Sequence, residues 1–75
     1  MEKETILKIF ASNLRAERAR KNYSQEFLSE KAGITTEYLN RIEKEKYNPS
    51  LVVIVNLAKA LEIDLNTLFP IDKQF

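Results

Sequence analysis

Five polar side chains, Thr36, Glu37, Asn40, Arg41 and Lys44, recur at a spacing that places them on one side of a helix. Tyr38, Leu39 and Ile42 fall on the other side. The polar set offers hydroxyl, carboxylate, amide, guanidinium and ammonium groups, which suit recognition by hydrogen bonding better than bond making. Histidine and cysteine are absent from the 75 residues, so the commonest general base, the commonest neutral metal ligand and any thiolate site are missing. There is no Gly-rich phosphate loop and no metal-ligand spacing, and no pair of carboxylates is set apart by a surrounding motif. No enzyme, cofactor, metal site or small-molecule ligand is expected. A helix held down by its apolar face and offering these groups on the other could lie in a DNA major groove. The same periodicity also describes an ordinary amphipathic surface helix.

The elements that must position this face are legible around it. Ser24 is a good N-cap, and Tyr23 with Leu28 has the spacing of a hydrophobic staple. A helix over residues 25–32 should end at Gly33, the only glycine in the chain, which supplies the left-handed backbone of a helix stop. Thr35 caps a second helix, expected over 36–45, and Ile34 with Leu39 repeats the staple. Two capped helices joined by a short glycine turn form a helix-turn-helix.

Before this motif, Thr5 can cap a helix over 5–21 whose buried stripe is Ile6, Phe10 and Leu14, broadened by Leu7 and Ala11. Arg15, Arg18 and Lys21 lie toward its C-terminal end, where cations complement the helix dipole. After the motif, Pro49-Ser50 starts a helix over 51–61. Residues 52–55 have strand propensity alone, but Ile54, Leu57, Ala58 and Leu61 have helical spacing. Val52 and Val55 lie toward another face, as in the central helix of a small bundle. Asp64 caps a short helix over 65–69, Pro70 stops it, and a tail follows over 70–75.

The ordered set Leu14-Arg15-x-x-Arg18, Ser24-Gln25-Glu26-x-Leu28, Ala32-Gly33-Ile34, Tyr38-Leu39-x-x-Ile42-Glu43, Pro49-Ser50-Leu51, Leu57-Ala58-x-Ala60-Leu61 and Leu65-x-x-Leu68-Phe69 resembles the Cro/C1-type (XRE-like) helix-turn-helix family of phage repressors and small bacterial transcriptional regulators. The resemblance covers residues 10–70. It implies an all-α, five-helix, lambda-repressor-like domain spanning 1–75. It also implies base contacts from Thr36, Glu37, Asn40 and Arg41, backbone contacts from Gln25, Thr35, Lys44 and Lys46, and a structural ion pair between Arg18 and Glu43. Tyr47 reads either as a further phosphate neighbour or as a partly buried loop anchor. Relatives often carry glycine where Glu45 and Glu62 stand. Glu45 must therefore adopt a left-handed conformation at a cost or let the helix run on.

Charge and size complete the expectations. The net charge is +1, while residues 24–45 hold five acids and three bases, an awkward balance of −2 for an element approaching phosphates. A chain of this size has a marginal core without a partner. Leu65, Phe69, Ile71 and Phe75 supply more apolar surface than a tail needs, and are the expected dimer interface. With no apolar run long enough for a membrane span and no apolar leader, a cytoplasmic protein is expected. The leading reading is a sequence-specific transcriptional regulator that binds double-stranded DNA as a homodimer on a near-palindromic operator. The alternative is a protein-interaction module or antitoxin on the same scaffold.

Overall fold

The computed structural model describes residues 1–70. Five α-helices follow one another: α1 Lys3–Arg20, α2 Gln25–Ala32, α3 Thr36–Glu43, α4 Leu51–Leu61 and α5 Leu65–Leu68, with no strand among the described residues. Ile71 and Phe75 lie outside the described residues.

Four helix starts are made by the expected side chains. Ser24, Thr35, Ser50 and Asp64 each sit in extended backbone and accept a hydrogen bond from the backbone N–H three residues on. The first start differs from expectation. Glu2, not Thr5, is the N-cap of α1, and it makes no side-chain cap bond. The Ile6 N–H already bonds the Glu2 carbonyl at 3.0 Å. Lys3 and Glu4 are good helix formers, so the helix continues backwards past the threonine. Its 18 residues span about 27 Å, more than the shorter molecular extents of 22 and 20 Å. The first turns therefore overhang, leaving Ile6 exposed and Leu7 half-buried, and the buried stripe is Phe10, Ala11 and Leu14.

Helices α1 to α4 end in one way. Asn22, Gly33, Glu45 and Glu62 have φ between 59° and 75°. The N–H of each bonds the carbonyl three residues back, and the next N–H reaches the carbonyl five back. This is the Schellman arrangement, and only one of the four left-handed positions is glycine. Consequently α3 stops at Glu43, with Lys44 as its C-cap, rather than running to residue 45. The strained left-handed glutamate at 45 is stabilised by the two backbone bonds it permits.

Leu14, Leu28, Leu39, Ile42, Leu57 and Leu61 fill the centre, with α2 lying along α4. Phe69 follows α5, which ends at Leu68, and its ring stacks on Phe10 with centroids 5.0 Å apart and planes 9° apart. The Asn13 amide donates to the Leu68 carbonyl at 2.9 Å, a second tie between α1 and α5. The second apolar face of α4 is only partly covered: Val55 is half-buried, while Val52 is 68% exposed and Leu51 beside it 72%.

Candidate nucleic-acid interface

Helix α3 is fixed by a carboxylate. Glu43, 3% exposed, accepts from Arg18 Nε at 2.8 Å and Nη2 at 3.0 Å. The third arm of Arg18, Nη1, donates to the Tyr23 carbonyl at 2.9 Å. Arg15 donates to the Glu43 backbone carbonyl at the C-terminal end of α3. Gln25 at the start of α2 donates to Glu43 Oε1 at 3.0 Å and accepts from the Asn40 amide at 3.3 Å. One buried acid thus ties α1, α2 and α3 together. A buried pair of this kind fixes geometry more reliably than it adds stability, because desolvation offsets much of the attraction.

The first turn of α3 is held separately. Ser29 is buried, donates to the Glu26 carbonyl at 2.9 Å and shares a 3.0 Å hydrogen bond with the Thr36 hydroxyl. The Thr35 hydroxyl accepts from the Tyr38 N–H at 3.0 Å. Glu37 and Arg41 stand outward, one helical turn apart, with Arg41 Nη2 donating to Glu37 Oε2 at 2.9 Å. The Arg41 guanidinium also lies over the Tyr47 ring, 5.5 Å from its centroid, and Tyr47 packs edge-on against Tyr38 at 5.4 Å. The Arg41 pKa is raised above its ordinary value, first by the hydrogen bond to Glu37, then by electrostatic interaction with Tyr47 and Glu37. Lys44 and Lys46 are exposed and make no ion pair among the described residues.

Of the residues read from the sequence, the fold brings Thr36, Glu37, Asn40 and Arg41 to one region, next to the start of α2 with Gln25. All four already have protein partners: Thr36 holds Ser29, Asn40 holds Gln25, and Glu37 and Arg41 hold each other. The local charge balance also differs from that of the segment alone. Glu43 is buried against Arg18, and Arg15 joins it from α1. Including Arg15, Arg18 and Lys46 turns the −2 of residues 24–45 into +1. Ser29 and the contact between Arg41 and Tyr47 were not legible. A buried serine has no sequence signal, and a six-residue separation belongs to no helical period.

This arrangement, a capped helix leading through a left-handed glycine into a second helix braced from behind, is matched by the helix-turn-helix family HTH_3 over residues 14–68. The chain belongs to the HTH_3 family. Members of this family are DNA-binding transcription regulators, and the likeness to the Cro/C1-type proteins holds. An uncharacterised helix-turn-helix regulator of Bacillus subtilis, YgzD, is 37% identical over 57 residues, which is 76% of this chain and 86% of that protein. The control protein C.SmaI of Serratia marcescens is 39% identical over 56 residues, 75% of this chain and 67% of that one. Among solved structures, the restriction-modification controller protein C.AhdI of Aeromonas hydrophila superposes with a TM-score of 0.81 at 40% identity, covering 84% of this chain and 96% of that one. No helix of the described HTH_3 fold is long and apolar enough to cross a membrane.

Proposed function

We propose that this HTH_3 protein is a sequence-specific transcriptional regulator that binds a near-palindromic operator as a homodimer. The observation that carries the reading is the outward pair Glu37 and Arg41 on a helix fixed from behind by a buried ion pair. In this reading α3 enters the major groove. Arg41 presents donors to guanine O6 and N7, Glu37 accepts from a cytosine amino group, and the Thr36 methyl meets a thymine methyl. Asn40, held by Gln25, reaches an adenine or the adjacent backbone. Lys44, Lys46 and the Thr35 hydroxyl take phosphates. The Gln25 amide is engaged at both ends, so its phosphate contact is made through the backbone N–H groups that open α2.

For the dimer, Leu51 and Val52 at the start of α4 join Leu65 as exposed apolar residues. Leu51, Leu65, Ile54 and Phe69 also line one shallow apolar groove. An apolar patch of this kind on a small domain suits a second copy of the same face. Of the residues assigned to the interface from sequence, Leu65 is on this face. Phe69 lines the groove but is half-buried, with one face of its ring stacked on Phe10.

Selection of bound sequences from random duplex DNA tests the reading, with salt titration and sedimentation on the selected site. The expected outcome is a twofold-symmetric site with half-site centres about 34 Å apart, and a log–log salt slope of about −0.9 per neutralised phosphate. No duplex affinity at low salt would exclude it. A protein that stays monomeric well above micromolar concentration, and still when bound, would exclude the dimer.

A further inference from the structure

The loop after α3 contributes an aromatic ring to the exposed face of that helix, and the backbone shows how. Glu45 takes the left-handed conformation and the Lys46 N–H closes on the Arg41 carbonyl at 2.8 Å. The chain therefore folds back over the last turn of α3 instead of continuing along its axis. This return carries Tyr47 onto the Arg41 guanidinium, at 5.5 Å from the ring centroid. The ring is exposed yet not free: its edge packs on Tyr38 at 5.4 Å, and Tyr38 is itself half-buried against the core. On its other side Arg41 gives one N–H to Glu37 at 2.9 Å. Among the described residues no other hydrogen bond is made by this guanidinium, so the rest of its planar fork faces outward.

We propose that Tyr47 is a specificity-determining positioning residue: with Glu37 it clamps Arg41 so that the guanidinium meets one base pair in one orientation. The inference rests on the reading of α3 as the groove-reading helix, and deepens it. A long arginine side chain on an exposed helix samples many rotamers, and ordering them opposes binding. An aromatic face and a carboxylate order the guanidinium before DNA arrives. A loosely held arginine can reach either strand or a phosphate, whereas a clamped one is confined to the bidentate geometry that selects guanine. The ring need not touch the DNA to do this.

The test combines two measurements on wild type, Tyr47→Leu and Tyr47→Phe. In free protein, the Arg41 side-chain protons should resonate upfield under the ring current of Tyr47. That shift should vanish in Tyr47→Leu and persist in Tyr47→Phe. In binding-site selection, Tyr47→Leu should lose about two- to fivefold of the preference at the one base pair per half-site assigned to Arg41. Preferences elsewhere should be unchanged, and Tyr47→Phe should restore the wild-type pattern. Thermal melts verify that both variants fold. A selection profile for Tyr47→Leu identical to that of wild type, or one altered uniformly at all positions, overturns the clamp and leaves the reading of the site standing. Failure of wild type to bind any duplex overturns both.

Discussion

Helix α3 supplies the glutamate of two arginine–glutamate pairs of nearly equal length, and they have opposite characters. Arg18 and Glu43 meet at 2.8 Å across 25 residues of sequence, with the carboxylate almost wholly shielded from water. Glu37 and Arg41 meet at 2.9 Å within one helical turn, in open solvent. The first pair is tied by further hydrogen bonds to Tyr23 and Gln25. The second has a single bond and a ring beside it. The difference shows that environment, more than distance, decides what an ion pair does. The shielded pair cannot exchange its partner without leaving a buried charge, so it fixes the helix. The open pair uses only one N–H of the Arg41 fork and leaves the others to face a base edge, so it is suited to reading.

The largest effect expected from breaking this comparison is at the shielded pair. Glu43→Ala should destabilise the fold by about 3 kcal/mol, the lower end for an unpaired buried charge, because the Arg18 side chain keeps 22% of its surface exposed. In a domain this small that lowers the thermal midpoint by more than about 10 °C. Arg18→Met combined with Glu43→Ala should cost less than the sum of the single changes. Additive single effects would show that the pair is not coupled.

A smaller effect is expected at the exposed start of α4. Leu51→Glu removes an exposed apolar residue without entering the core, so at concentrations where both chains are monomeric it should melt as wild type does. Sedimentation of this variant should show the dimer lost. A dimer of unchanged strength would place the contact elsewhere.

Next, Glu45→Gly alters the backbone under the open pair and leaves the shielded one alone. Relief of the left-handed strain should raise stability by up to about 1 kcal/mol, or about 4–8 °C in thermal midpoint. A lower midpoint would mean that this glutamate makes compensating interactions of its own. The smallest effect sharpens the contrast. Glu37→Gln should leave the thermal midpoint unchanged, since exposed pairs contribute little. In binding-site selection it should alter the base preferred at one position of each half-site. Altered stability with unaltered preference would reverse the roles given to the two pairs.

The sequence made the fold legible where chemistry is local. Ser24, Thr35, Ser50 and Asp64 announce helix starts through their side chains, and Gly33 announces a stop. Glu45 and Glu62 stand out in the sequence only because glycine is usual there, and both take the left-handed conformation. Thr5 misled because a capping residue is permissive: it starts a helix only when the residues before it resist helix formation. Ile6 misled because a helical stripe says which side is apolar and not how far the neighbouring layer extends. The candidate site was legible as a set of outward residues on α3, and not as a network. The bonds from Gln25 to Glu43 and to Asn40 join separate helices, and the return of Tyr47 over Arg41 depends on one backbone angle.

The anchoring of α5 bears on operator phasing. A parallel ring stack between Phe10 and Phe69 and the Asn13 amide on the Leu68 carbonyl hold this short helix to the long one. If two copies join through the face that α5 shares with the start of α4, that joint has no slack, and the two reading heads keep a fixed rotational offset. Each base pair inserted between half-sites turns one about 34° relative to the other, more than such a joint can absorb. We therefore expect single-base-pair changes in spacer length to abolish paired occupancy, rather than weaken it gradually.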